Sequence, residues 1–196
     1  MKETSKSIFF KLKDARYATR YLVGDGLDIG VDGDYLGQYT EFFPLIHSCR
    51  AWELSDGSAQ EVASLENDSF DFVHSSYCLQ NLADAKAGLN NWLRVLKPGG
   101  HLICIVPDED LYEQGVFPSN YSFEHKNTFT IYKKFSWSVN SIGIFDLVKN
   151  LNYNLEVKKI ELLDSTYRYT SSKHKRFDQT LTPVGESAIE FILKKL

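Results

Sequence analysis

Between Gly26 and Val106 the chain alternates short apolar segments with turn signals, and this alternation constrains its fold more than any bulk property. Gly26-Leu27-Asp28-Ile29-Gly30 reads as a buried strand running into a glycine turn. A second strand is expected around Cys49–Leu54 and a third over Phe70–His74, preceded by the turn-like Glu66-Asn67-Asp68-Ser69. Residues 83–96 show helical spacing, with Ala87, Leu89, Trp92, Leu93 and Leu96 able to share one face. Lys97-Pro98-Gly99-Gly100 stops that helix, and His101–Val106 is the next strand. A helix over 141–151 and strands over Leu155–Leu163 and Ser187–Leu193 follow. Strands alternating with helices imply right-handed crossovers and a mainly parallel sheet. The last two strands have no clear helix between them and predict an antiparallel pair. The expected class is an α/β sandwich.

No low-complexity linker interrupts the 196 residues, so a single domain over 1–196 is expected, with residues 1–22 as an amphipathic helix or helical arm. Phe9, Phe10, Leu12, Tyr17 and Tyr21 are its apolar positions. The formal charge of −4 supplies no basic field for nucleic acid. Cys49, Cys78 and Cys104 have neither framework nor zinc-ligand spacing and read as reduced thiols. The apolar run Leu102–Val106 is far below the roughly 20 residues of a spanning helix. The amino-terminal stretch lacks the apolar core of a signal peptide. A cytoplasmic location is expected.

Three blocks, in this order, resemble the class I S-adenosylmethionine-dependent methyltransferases. Gly26–Gly33 is similar to that family's strand-one glycine motif. Ser69–Ser76 is similar to its fourth strand, and Trp92–Leu102 to its helix, turn and fifth strand. The resemblance implies a Rossmann-like three-layer sandwich with a mainly parallel seven-stranded sheet and an antiparallel C-terminal strand. It also implies S-adenosylmethionine as cofactor. Pro107–Gly115, Glu124-His125-Lys126, Ile160–Asp164 and Asp178-Gln179-Thr180 look like methyltransferase domains of surface-glycan synthesis, which implies O-methylation of a sugar hydroxyl.

The cofactor carries a sulfonium, an amino-acid tail, a ribose diol and an adenine. Gly30 allows close backbone approach to the tail. Asp32 stands where the family has its second glycine, and Gly33 is displaced by one; aspartate tolerates the left-handed turn. Asp28 matches the acid that steadies this loop. Glu53, twenty residues beyond Gly33, is the expected ribose ligand, with Asp56 as competitor. Ser58 and Ala59 occupy the place beside the adenine. Ser75, Ser76 and Tyr77 are expected under the sulfonium.

Gln80-Asn81 stands where many relatives have a Glu-His pair, and neither residue is a base. Asp108, Glu109 and His125 are therefore the catalytic candidates, as base or as ligands of a possible divalent cation. Residues 107–140, rich in aromatics, read as an acceptor-site insertion or lid. The acceptor is expected to be a sugar or glycan, with a small molecule as runner-up. The basic run Arg168–Arg176 reads as a surface loop. Two rival classes remain. One is a non-catalytic binding domain of this fold, suggested by Asp32, Ser58 and Gln80-Asn81. The other is a nicotinamide-dependent oxidoreductase, disfavoured because Gly30-Val31-Asp32-Gly33 lacks the full G-x-G-x-x-G spacing.

Overall fold

The structure, a computed structural model, describes residues 3–169 and 185–196. Among the described residues three α-helices, α1 (Glu3–Lys11), α2 (Ala85–Val95) and α3 (Ile144–Lys149), accompany eight strands. These are β1 (Gly24–Ile29), β2 (Ile46–Trp52), β3 (Phe70–Ser76), β4 (Leu96–Pro107), β5 (Thr128–Thr130), β6 (Ser141–Gly143), β7 (Leu155–Leu163) and β8 (Ala188–Lys195). The main sheet has the order β2-β1-β3-β4-β8-β7. Its first four strands are parallel, and β8 runs antiparallel to both neighbours. β5 and β6 form a small parallel pair, joined to the end of β4 by a bridge between Asp108 and Phe129.

Central strands covered on both faces must be apolar on both, and Leu102–Val106 of β4 is buried throughout. On one face α2 packs Leu89, Trp92 and Leu93 against Leu27, Ile29, Val73, Leu102 and Cys104. Its start is fixed by the Asp84 side chain, which accepts from Ala87 N at 2.9 Å. On the other face Tyr17, Tyr21 and Leu22 pack against Phe72, Ile103 and Ile192.

The α/β sandwich and the antiparallel pair β7–β8 match the sequence reading; the strand count does not. Among the described residues the main sheet has six strands, not seven. Only residues 53–69 separate β2 from β3, and a single crossover already needs a dozen or more residues. The segment instead forms turns held by α2. Trp92 Nε1 donates to Ala59 O at 2.7 Å, Asn91 Nδ2 to Gln60 O at 2.9 Å, and Arg94 Nη1 to Leu65 O at 2.7 Å.

The amino-terminal arm also differs from one continuous helix. α1 ends at Lys11, and the Asp14 carboxylate accepts from Arg16 N at 2.9 Å to start a separate turn ending at Tyr21. Phe9 and Leu12 face outward, while Thr4, Ser7 and Lys11 face the sheet. Ile8 also packs inward, with Phe72, Ile103 and Ile192, beside a polar patch of the sheet. Lys11 Nζ lies 3.4 Å from the buried Glu190 carboxylate, which also pairs with Lys159 at 2.9 Å and accepts from the Tyr17 hydroxyl. Most of the basic run 168–176, and Asp178–Thr180, lie outside the described residues. Among the described residues no helix is long and apolar enough to cross a membrane.

Candidate functional site

Parallel strands that end side by side leave a crevice at their carboxyl ends, and β1, β2 and β3 do so here. The larger lobe, about 750 Å³, is lined by Gly30–Asp32 after β1, by Trp52 and Glu53 from β2, and by Gly57–Gln60. Tyr77, Cys78, Asn81 and Leu82 after β3 form its other wall, with Glu124 and Lys126 across the opening. A smaller lobe of about 350 Å³ shares Gly30–Asp32 and Tyr77. It adds Asp28, Asp34, Ser76, Tyr112 and, from α1, Glu3 and Thr4.

Gly30 has φ +81, and a Cβ there would stand 2.3 Å from Cys78 Cβ, so only glycine fits this turn. Beneath it Asp28 is almost fully buried. Its Oδ1 accepts from His74 Nδ1 and its Oδ2 from Leu36 N, both at 2.7 Å. That carboxylate ties the loop after β1 to β3. Tyr77 takes φ +56, uncommon for a non-glycine residue, and stands in the wall common to both lobes.

Glu53 and Asp56 divide the roles that the sequence left open between them. Glu53 lines the larger lobe, whereas Asp56 does not and spends its Oδ2 on Glu53 N at 2.8 Å. Ser58 and Ala59 line the same lobe. Two expected cofactor positions fall outside both lobes. Ser75 is buried and donates through Oγ to Ile29 O at 3.0 Å, stitching β3 to β1. Gly33 has φ +65 and a built Cβ there would meet open space.

The three catalytic candidates are not brought together. Glu109 is fully buried and braces the insertion: Oε1 accepts from Lys133 Nζ and Ser136 Oγ at 2.7 Å each, Oε2 from Ser141 Oγ at 2.6 Å and Thr128 Oγ1 at 3.1 Å. With four donors it has no place for a substrate proton, which corrects its expected role. Asp108 caps the turn after β4, its Oδ1 accepting from Asp110 N and Leu111 N at 3.0 Å. Burial pushes its carboxyl up to about 6. His125 is buried, with Nδ1 2.6 Å from Glu113 Oε1 and its ring centroid 5.2 Å from that of Tyr112. Tyr112 lines the smaller lobe, so the His125–Glu113 pair sits one ring behind its wall. Among the described residues no group of three or more His, Cys, Asp or Glu side chains is placed to hold a metal ion.

Sequence reasoning passed over Trp52, Cys78, Glu124, Lys126 and the arm residues Glu3 and Thr4 as cleft residues. It passed over Glu113 as well, since nothing in a twelve-residue separation announces its pairing with His125. The cleft is acidic: Glu3, Asp28, Asp32, Asp34, Glu53 and Glu124 line it against one lysine, Lys126. Burial raises the Glu3 carboxyl despite its partner Lys6, and burial with Asp28 nearby pushes the Cys78 thiol up to about 12.

Residues 44–104 match the family described as "Methyltransferase domain". The demethylmenaquinone methyltransferase of Bacillus velezensis is 32% identical over 109 residues, covering 50% of this chain and 45% of that protein. The chain thus spans about half the length of the curated relatives it matches. An S-adenosylmethionine-dependent methyltransferase from Mesorhizobium loti superimposes with a TM-score of 0.57 at 10% identity, over 94% of this chain and all of that one. The Haemonchus contortus phosphoethanolamine N-methyltransferase 2, in complex with S-adenosyl-L-methionine, gives 0.57 at 16% identity, over 97% of this chain and 52% of that one. These likenesses show that the fold is the Rossmann-like fold of such methyltransferases.

Proposed function

We propose that this chain binds S-adenosylmethionine in the two-lobed cleft and transfers its methyl group to a small-molecule acceptor. The observation that carries this reading is the convergence of Gly30 and Glu53 on one lobe at the carboxyl ends of β1 and β2. Gly30 leaves room that a Cβ would fill, and Glu53, whose carboxylate also faces Asp56 N in a reciprocal cap, offers its remaining acceptor capacity to a ribose diol. Asp28 holds the loop, Asp32 faces the ammonium end, and Ser58 and Ala59 flank the base. The acidic lining complements a ligand whose sulfonium and ammonium outnumber its carboxylate. When bound, the cofactor supplies an electrophilic methyl group for in-line displacement. Tyr77 and Tyr112 line the smaller lobe, exclude water there and orient the acceptor.

Residues 107–140 serve as the acceptor-side insertion, with Glu109 as its internal brace. A small molecule suits the size of the smaller lobe, and the Bacillus relatives are named for a small-molecule acceptor. A sugar hydroxyl is the second reading. It is favoured by the tyrosine rings, Tyr77 to Tyr112 at 5.7 Å and Tyr112 to Tyr121 at 5.9 Å, which suit the apolar face of a sugar. Such a hydroxyl needs a base, and this reading gives the role to His125, which Glu113 orients and which acts by way of the Tyr112 ring that stands between it and the lobe.

Calorimetric titration with S-adenosylhomocysteine, with NAD as control, tests the reading. Binding in the micromolar range that weakens about tenfold or more in Glu53→Ala supports it. Binding of NAD alone, or of neither ligand, overturns it.

A further inference from the structure

The segment that joins β5 to β6, residues 131–140, has its polar side chains turned inward and its apolar ones turned out. Lys133 Nζ and Ser136 Oγ donate to the buried Glu109 at 2.7 Å each, and Ser138 is buried. Facing solvent are Tyr132, 64% exposed, Phe135, 83%, Trp137, 39%, and Val139, 95%. Single exposed apolar residues are ordinary on a protein surface; four within one short loop form a patch that marks a contact. The loop is pinned in this arrangement. Ser136 Oγ accepts from Ser138 N at 3.0 Å, Trp137 Nε1 donates to Asp110 Oδ1 at 3.0 Å, and Asn140 Nδ2 donates to Lys126 O at 2.9 Å. Turning the apolar tips inward would break the Glu109 brace.

Charge around the patch has one sign. From His125 to Phe145 the sequence has no Asp or Glu, although the chain carries 26 acids in 196 residues. Lys133 is spent on Glu109 and Asp110, whereas Lys126 and Lys134 are exposed, Lys134 with its Nζ 5.5 Å from the Phe135 ring centroid. Exposed lysines among Trp, Tyr and Phe are what a bilayer interface accepts. The rings sit at headgroup level, and the ammonium groups meet anionic lipid. Nucleic acid fits less well, because two lysines neutralise few phosphates and Val139 has no ring to stack on a base. A second copy of the chain would set Lys126 and Lys134 against their own likes.

We infer that residues 132–139 dock this protein on an anionic lipid surface, with Phe135, Trp137 and Val139 entering the headgroup region and Lys126 and Lys134 meeting its negative charge. The inference goes beyond methyl transfer and holds whether or not the cleft binds the cofactor. A few apolar tips and two cations give a reversible, peripheral contact. That contact strengthens with the content of anionic lipid and weakens with salt. Lys126 also stands at the opening of the larger lobe, so the docking surface adjoins the cleft.

The test is sedimentation of the chain with vesicles of phosphatidylcholine alone, and of phosphatidylcholine with about 30% phosphatidylserine, read together with tryptophan emission. Trp52 and Trp92 are buried, so Trp137 is the indole that reports on the patch. The protein is expected to sediment with the anionic vesicles and to be released by high salt. Its emission is expected to shift to the blue on binding, and this shift is expected to be absent in Trp137→Phe. Phe135→Ser is expected to weaken the partition by about tenfold, and Lys134→Glu to weaken it on anionic vesicles by a similar factor. If Phe135→Ser melts early, the emission shift of the unsubstituted protein and the Lys134→Glu partition carry the decision. Sedimentation with neither vesicle, or a Phe135→Ser variant that folds and partitions as the parent does, overturns the inference. So does dimerisation that shifts the Trp137 emission without lipid, or retention of single-stranded RNA in place of vesicles.

Discussion

Asp28 Oδ1 lies 2.7 Å from His74 Nδ1, so a carboxylate at the end of β1 and an imidazole on β3 form one buried unit under the glycine turn. The second oxygen accepts from Leu36 N, and the loop between Gly30 and Leu36 is thereby closed onto the sheet. Asp28→Asn sets an NH₂ group against one of these two donors. The variant is expected to lose about 1–3 kcal/mol of stability, read by urea unfolding, and to bind S-adenosylhomocysteine more weakly. An unchanged midpoint would mean that the loop is held by something other than Asp28.

Gly30→Ala combines a left-handed backbone with a Cβ standing 2.4 Å from Cys78 Sγ and 2.3 Å from its Cβ. The turn has to open or Cys78 has to retreat into the lobe wall, so cofactor affinity falls more than stability does. Gly33→Ala is the comparison. It meets open space and carries only the left-handed penalty of about 1–2 kcal/mol. Calorimetry and thermal melting of both variants separate the two effects.

Glu109→Gln distinguishes a brace from a base. The carboxylate serves four donors in the fully buried state, including a lysine. Removing its charge is expected to destabilise the protein by about 3–5 kcal/mol and to raise hydrogen exchange across residues 128–141. Cofactor affinity changes little by comparison. A catalytic base would give the opposite pattern, with a normal melting profile and lost turnover.

The Asp108 carboxyl, lifted to about 6 by burial, titrates above its ordinary value of 3.8 in the folded state. The fold then binds the proton more tightly than the unfolded chain. The resulting stability is fully present below about pH 4 and is lost as the pH rises through 6. Asp108→Asn keeps an acceptor for Asp110 N and Leu111 N but does not titrate. Its stability relative to the parent is expected to improve by up to about 3 kcal/mol between pH 4 and pH 8, measured by denaturant unfolding across that range. A flat difference would refute the burial argument.

The sequence made the parallel core legible because each buried strand advertises itself locally. Leu155–Leu163 is a strand over the range expected, and the helix at 83–96 differs from α2 by two residues at its start and one at its end. Gly30 and Glu53 were readable for the same reason, since a strand end and a spacing of about twenty residues are linear features. The inward polar face of α1 was not. Lys11 is drawn inside by Glu190, a residue far away in sequence that surfaces beneath it only once β8 is inserted. Likewise Glu109 and His125 looked equivalent as polar residues near β4. Their difference lies in what closes on them: hydroxyls and a lysine from residues 128–141 on one, Glu113 and Tyr112 on the other. The missing strand followed from counting residues 53–69, a constraint that the resemblance to larger relatives obscured.

β8 enters the sheet between β4 and β7, both of which precede it in the chain. Until it arrives, β4 offers an unpaired backbone edge along its apolar length, and β7 has no strand to pair with. Assembly of this half of the sheet is therefore a single late insertion that closes two ladders at once. A folding chain that stalls before this step carries an open apolar edge, which is the feature that drives strands to join between molecules. Substitutions that weaken β8 should then show first as low soluble yield at high concentration, before any loss in the activity of the molecules that do fold.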